Sequence, residues 1–192
     1  MARLRAIVSA YIRDHRANAA RELRWFAIQR TLADAISIAA EARGPSGKRL
    51  AHQRRIRASV LAQCKKRLLA SAGKLRGVRS FAALHETVNY LVGGIRGIGE
   101  LYVYDTALRI GAKLGVLPRL VYLHAGTREG ARHMGLGRAR KTASPKELPT
   151  EFSRLRPREI EDALCIYKSQ IAGAALRNKR RSQCRFENDR PC

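Results

Sequence analysis

The sequence predicts an all-α protein, and three observations indicate this fold class. No glycine or proline interrupts residues 1–43, so the first part of the chain lacks helix breakers. Apolar residues recur at helical spacing in later segments, including Lys48–Ala72 and Phe81–Val92. Helix-start residues, Ser80 and Pro157, precede or open further helical segments. These patterns predict helices separated by short breaks.

Residues 2–43 are expected to be helical almost throughout. One helix of that length would far exceed the usual ~11–12 residues, so we expect a break near Asn18 or Thr31. The apolar stripe of the second half follows one helix face. Its members are Leu32, Ala35, Ile36 and Ala39.

The Gly-Pro-Ser-Gly segment at residues 44–47 ends this helical region. A further helix is predicted over Lys48–Ala72, with an apolar face and an opposite face rich in arginine and lysine. Gly73–Arg79 is predicted to be a linker. We therefore interpret residues 1–79 as a basic helical N-terminal region.

A cluster of glycines follows the helical segment Phe81–Val92. The glycines of Gly97-Ile98-Gly99 allow a tight turn, with the isoleucine between them turned inward. Another helical pattern follows, so the turn amides would lie at a helix N-terminus. Unpaired N–H groups and the helix dipole favour a phosphate there, and Arg96 lies where its side chain can reach one.

This helix, glycine turn and helix resemble the helix-hairpin-helix motif, which binds the DNA backbone without sequence specificity. The block Tyr122–Gly135 resembles the segment that follows the hairpin in the endonuclease III-type DNA glycosylase superfamily. The resemblance covers Ser80 to Gly135 and implies a glycosylase-like domain at residues 80–177. It implies DNA-binding roles for Arg96, Gly97, Ile98, Gly99 and Arg128. The region also resembles a group of uncharacterised bacterial proteins, which implies no function.

Two positions depart from the glycosylase pattern. His124 matches the family's catalytic aspartate, and Leu101 matches the lysine nucleophile of the bifunctional enzymes. Leucine cannot form a Schiff base, whereas histidine can act as a general base. The resemblance therefore implies a degenerate site or a glycosylase without lyase activity, with His124 and Asp105 as candidate catalytic residues.

The net charge of +24, from 39 Lys and Arg against 15 Asp and Glu, predicts a polyanionic partner. DNA is the first expectation, because counterion release supplies affinity for its phosphates, and RNA or an acidic protein is the alternative. The sequence has no apolar run of the ~18 residues that a membrane span requires, so no membrane association is expected.

The four cysteines have neither zinc-site spacing nor the close spacing of an iron–sulfur motif. We therefore expect no metal, no cofactor and a reducing, cytoplasmic location. Residues 178–192 have few apolar positions and no periodicity, which predicts a disordered basic tail.

Three functions follow as hypotheses. The first is sequence-independent DNA binding through phosphate contacts in the hairpin, in DNA repair or in the handling of mobile DNA. The second is a monofunctional base-excision DNA glycosylase. The third is a non-catalytic helical protein that binds RNA or an acidic protein.

Overall fold

The computed structural model describes residues 2–173 and confirms a mostly helical chain. The helices are α1 (Ala2–Asp14), α2 (Arg16–Ala27), α3 (Leu32–Ala40), α4 (Ala58–Ala70), α5 (Ala72–Gly77), α6 (Phe81–Val92), α7 (Glu100–Leu114), α8 (Ala125–Arg132) and α9 (Pro157–Ile166). Two short strands, β1 (Val121–Tyr122) and β2 (Thr142–Ala143), pair antiparallel. Short 3-10 turns occupy Ala51–Gln53, Pro145–Glu147 and Thr150–Arg154.

The chain divides into two compact units. One comprises Ala17–Arg119 and is called the hairpin unit here, and the other joins the residues up to Arg16 with those from Leu120 onward and is called the terminal unit. The boundary expected after residue 79 lies inside the hairpin unit, because α3 and α4 pack with α6 and α7. The predicted tail, residues 178–192, lies outside the described residues.

Helix α3 lies at the centre of the hairpin unit, where it packs against α4, α5 and α7. The break predicted near Thr31 is confirmed, because the Thr31 side chain accepts a hydrogen bond from the Asp34 amide and starts α3. The first break falls between α1 and α2, at His15. Five of the nine α3 residues are buried, as its apolar stripe requires.

The helix predicted over Lys48–Ala72 begins later than expected. Residues 43–57 instead form an isolated bridge between Arg43 and Arg49, followed by a 3-10 turn, and α4 starts at Ala58. The predicted linker after it is largely the short helix α5. The Ser80 cap is confirmed by a hydrogen bond from the Ala83 amide to the Ser80 hydroxyl.

The terminal unit is built around the packing of α8 on α9. Gly130 makes this approach close, because a Cβ there would lie 2.5 Å from the carbonyl oxygen of Leu164. Helix α1 joins the same core, and its Tyr11 hydroxyl donates to Asp162 Oδ2 at 2.7 Å. The predicted start of α9 at Pro157 is confirmed.

Among residues 2–173, no helix combines the length and apolar character needed to cross a bilayer.

Candidate functional site

The loop between α6 and α7, residues 93–99, is called the hairpin loop here. Its turns are closed by hydrogen bonds from the Ile95 amide to the Val92 carbonyl (3.0 Å) and from the Ile98 amide to the Ile95 carbonyl (2.9 Å). Gly97 has φ +96°, a conformation that glycine adopts without strain. The loop therefore needs glycine at this position.

The hydrophobic anchor of the loop differs from the expected one. Ile95 is buried, whereas Ile98 is only half-buried. Ile95 precedes the left-handed Gly97 and faces the interior, so Ile98 is left nearer the surface. Ile98, which was expected to turn inward, is therefore enclosed only in part, and the sequence did not indicate that Ile95 is the more buried of the two isoleucines.

The exposed residues of the loop are Gly94, Arg96, Gly97 and Gly99. A Cβ added at Gly97 or Gly99 would meet nothing within 4 Å, so the backbone at both positions is open to approach. Gly99 is the N-cap of α7 and offers no side chain to its amides. This arrangement places a helix N-terminus, with its positive dipole, at an accessible surface.

Two charged side chains modify the field at this surface. Arg67 of α4 donates from Nη1 to the Leu91 carbonyl oxygen at 3.2 Å, which brings an exposed guanidinium to the end of α6 next to the loop. Glu100, in the first turn of α7, has the opposite sign. The surface therefore carries cationic groups together with the carboxylate of Glu100. The prediction from the sequence did not include this carboxylate.

Asp105 lies on α7 in a polar network of the hairpin unit. Its Oδ2 is 2.7 Å from His52 Nε2, accepts from Gln53 Nε2 at 2.7 Å and from Arg109 Nη2 at 3.4 Å. The Arg109 side chain is 4 % exposed and also contacts Glu22 Oε1 at 3.4 Å. Arg109 lies four residues after Asp105, one turn along α7, whereas nothing in the sequence pointed to His52 or Gln53.

The contact with Asp105 changes the acid–base behaviour of His52. The hydrogen bond to the Asp105 carboxylate raises the pKa of His52 above its ordinary value, and partial burial opposes this effect. The Asp105 carboxylate thus has His52, Gln53 and Arg109 as polar partners. This environment accounts structurally for an acid inside an otherwise apolar helix.

His124 lies in the terminal unit, where it is the N-cap of α8. Its side chain is 5 % exposed, and its Nε2 lies 2.5 Å from Oε1 of the equally buried Glu161 on α9. The histidine also holds the start of α8 through its carbonyl oxygen, which accepts from the Arg128 amide at 2.8 Å. Nothing in the sequence pointed to this contact, because Glu161 lies 37 residues after His124.

Arg128 lies on α8, and its Nη1 donates to the Leu123 carbonyl oxygen at 2.8 Å. This bond ties its guanidinium to the segment that follows β1. The candidate catalytic residues lie in different units, Asp105 in the hairpin unit and His124 in the terminal unit. Their catalytic roles stay predictions.

Gly126, in the first turn of α8, faces Cys165 of α9. A Cβ at Gly126 would lie 3.1 Å from the Cys165 sulfur and 3.9 Å from Cε1 of His124. Cys165 is half-buried and Cys64 is fully buried. Within the described part of the chain, no group of three or more His, Cys, Asp or Glu side chains is arranged to hold a metal ion.

In comparisons with known proteins, no family model, no curated protein and no solved structure matches this chain.

Proposed function

We propose that this protein binds duplex DNA without sequence preference, through phosphate contacts at the hairpin loop. The observation that carries the proposal is the accessible N-terminus of α7, capped by the exposed Gly99 and flanked by Arg96 and Gly97. A phosphate oxygen can approach such amides closely, because no side chain intervenes. The sequence of this segment resembles the helix-hairpin-helix motif, and that resemblance supports the same interpretation.

The charge of the hairpin unit supports a polyanionic partner. Residues 17–119 contain 19 Lys and Arg against 6 Asp and Glu, a net charge of +13. Exposed arginines and lysines lie along α4 and α5 and the turn before α4. They are Arg54, Arg55, Arg57, Lys66, Arg67, Lys74 and Arg76. Each one that neutralises a phosphate would add to a salt-dependent affinity.

We favour DNA binding over glycosylase activity because of the environment of the His124 side chain. The imidazole is almost completely buried, and its Nε2 contacts Glu161. A general base must reach the proton that it removes, directly or through one water. RNA or an acidic protein remains the competing partner, and the experiment below separates these outcomes.

The test compares Gly99→Val with wild type in a duplex-DNA binding titration at two salt concentrations. Gly99 has φ −113° and ψ 172°, an extended conformation that valine adopts, and its side-chain direction is empty. The substitution therefore adds bulk in the path of a phosphate, at a helix-capping cost of roughly 1 kcal/mol. We expect affinity to fall roughly tenfold, the loss of one charge-assisted hydrogen bond or more.

The matched control is Gly137→Val. Gly137 is an exposed loop glycine outside the hairpin loop, and the nearest atom to an added Cβ is 4.0 Å away. A second pair compares Arg96→Gln with Arg138→Gln, each removing one exposed charge. Arg96→Gln should reduce the slope of log affinity against log salt by about 0.9. The proposal fails if the Gly99→Val variant binds DNA as tightly as wild type does. It also fails if RNA and heparin bind as tightly as DNA and if neither Gly99→Val nor Arg96→Gln changes their affinity.

A further inference from the structure

Tyr90 lies in the last turn of helix α6, just before the hairpin loop, and is 85 % exposed. Every other tyrosine, phenylalanine and tryptophan among residues 2–173 is buried or half-buried. The fold therefore gains little packing from the Tyr90 ring. A flat aromatic ring that faces water is available to stack on a partner molecule.

The direction of Tyr90 follows from the spacing of residues on α6. Val88 and Val92, two residues before and after it, are buried. Since a helix turns by about 100° per residue, a two-residue step turns by about 200°, and Tyr90 points away from the core. The Gly93 amide donates to the Asn89 carbonyl oxygen at 2.8 Å, so the helical turn continues into the first loop residue. Tyr90 thus lies within one turn of the hairpin loop.

The backbone between Tyr90 and the N-terminus of α7 is open at three glycines. Gly94, Gly97 and Gly99 are exposed, and a Cβ added at any of them would meet nothing within 4 Å. A nucleic-acid strand whose phosphate lies at the α7 amides can therefore cross the loop toward α6 without meeting a side chain at these positions.

Positive charge lies at the same end of α6. Arg67 donates to the carbonyl oxygen of Leu91, the residue that follows Tyr90, at 3.2 Å. Arg96 is exposed in the loop. The carboxylate of α6, Glu86, is also exposed but lies four residues before Tyr90, on the side away from the loop. Phosphates are thus favoured at the loop end of α6, beside the tyrosine ring.

A cationic surface next to an exposed aromatic ring is typical of sites that bind single-stranded nucleic acid. Cationic side chains hold the phosphates, and a base of any kind can stack on the ring. A paired base inside a duplex is already covered on both faces by its neighbours, so stacking on a protein ring requires that it first be unstacked. An unpaired base avoids most of this cost.

We propose that Tyr90 stacks on an unpaired base of a DNA strand whose phosphates lie at the hairpin loop. The protein then favours DNA with a single-stranded gap over the intact duplex. This inference rests on the proposed DNA contact of the loop, and it names the form of DNA that the contact selects.

The test compares the affinity of the full chain for two DNAs of one sequence, an intact duplex and the same duplex with a short single-stranded gap. Wild type should bind the gapped DNA at least about fivefold more tightly, the lower end of what one base stacked on an aromatic side chain contributes. A 2-aminopurine base placed in the gap should lose fluorescence on binding, because stacking quenches it.

Variants of Tyr90 separate stacking from charge. Tyr90→Ala should remove both the preference for gapped DNA and the quenching, and it should keep the affinity for the intact duplex, because no charge is lost. Tyr90→Phe retains the ring and should keep the preference. Ile28→Ala is the matched control, because Ile28 is 69 % exposed, lies outside the hairpin loop and loses apolar surface elsewhere. Both positions are exposed, so neither substitution disturbs the core.

Two results would overturn the role of Tyr90 and leave the loop contact standing. Wild type would bind both DNAs equally, or Tyr90→Ala would keep the wild-type preference, while Gly99→Val still weakens binding to both DNAs. Unchanged affinity of Gly99→Val for both DNAs would instead refute the loop contact on which the inference rests. Tighter binding to single-stranded RNA than to gapped DNA would overturn the choice of DNA.

Discussion

Replacing Asp105 with asparagine tests whether the network on α7 stabilises the fold. Asparagine keeps an oxygen that can accept from Gln53, but it removes the charge opposite the Arg109 guanidinium. Arg109 is 4 % exposed, and its guanidinium also lies over the Phe26 ring, 5.8 Å from the centroid. The substitution of Asp105 thus leaves the buried Arg109 guanidinium with fewer groups that offset the loss of its hydration.

The magnitude follows from what remains around Arg109. Breaking a buried ion pair by removing one partner costs roughly 3–5 kcal/mol. Here Glu22 Oε1 at 3.4 Å and Gln53 Oε1 at 3.3 Å still contact the guanidinium, so part of its desolvation stays compensated. We therefore expect Asp105→Asn to lower the free energy of unfolding by about 2–3 kcal/mol.

The same substitution should alter the pH dependence of stability. The hydrogen bond to Asp105 raises the pKa of His52, so its contribution is fully present below the ordinary value of 6.5 and is lost as pH rises through the raised value. The His52 side chain is 49 % exposed, so solvent screening limits this contribution to about 1 kcal/mol at most. Asp105→Asn should remove it.

The assay is urea unfolding at pH 5.5, 7.0 and 8.5 for wild type, Asp105→Asn, His52→Gln and the double variant. In the His52→Gln background, Asp105→Asn should have no pH-dependent component between pH 5.5 and 8.5. Asp14→Asn, which removes an exposed carboxylate paired with Arg13, is the control and should leave the midpoint unchanged. A loss below about 0.5 kcal/mol for Asp105→Asn would refute the account of Arg109.

Three further predictions concern Gly130 on α8, Glu161 on α9 and Glu100 in the first turn of α7. Gly130→Ala should lower the free energy of unfolding by about 1–3 kcal/mol, because its Cβ would lie 2.5 Å from the Leu164 carbonyl oxygen and α8 must move away from α9. Glu161→Ala should cost about 3 kcal/mol, because it removes the buried partner of His124. Glu100→Gln should strengthen duplex DNA binding about two- to fivefold at low salt, because a carboxylate in the first turn of α7 opposes a phosphate.

Each of these predictions has a matched comparison. Gly137→Ala has room for its Cβ and should be neutral, while Glu129→Ala removes only a half-exposed partner of Lys168. The free energy of unfolding is measured by thermal or urea unfolding. Equal values for Gly130→Ala and Gly137→Ala would contradict the packing argument, and equal values for Glu161→Ala and Glu129→Ala would contradict the argument from the buried pair. Glu86→Gln, an exposed change on α6, is the comparison for Glu100→Gln in the DNA titration. Equal gains from both would show that total charge, and not the position in α7, sets the affinity.

The local signals of the chain were sufficient to predict several helix boundaries. Ser80, Thr31 and Pro157 act through groups within a few residues of themselves, so their effects can be deduced from sequence alone. The helical character of the chain follows from the spacing of apolar residues for the same reason. The start of α4 was predicted about ten residues too early, because apolar spacing does not exclude a turn fixed by the Arg43–Arg49 bridge.

The hairpin residues could be selected from the sequence because Arg96, Gly97, Ile98 and Gly99 are consecutive. Their surroundings could not, since the approach of Arg67 to Leu91 and the burial of Ile95 depend on how α4 packs against α6 and α7. The contacts of the candidate catalytic residues also join distant parts of the chain. His52 and Asp105 are 53 residues apart, and His124 and Glu161 are 37 apart.

The helical fold, the strong positive charge and the glycine turn could be predicted because they depend on composition and on contacts between near neighbours. The pairing of buried polar groups, the packing of α1 with α9 and the burial of Glu151 Oε1 could not be predicted, and they are seen in the folded chain alone. These features arise when segments far apart in sequence exclude water from the same polar atoms.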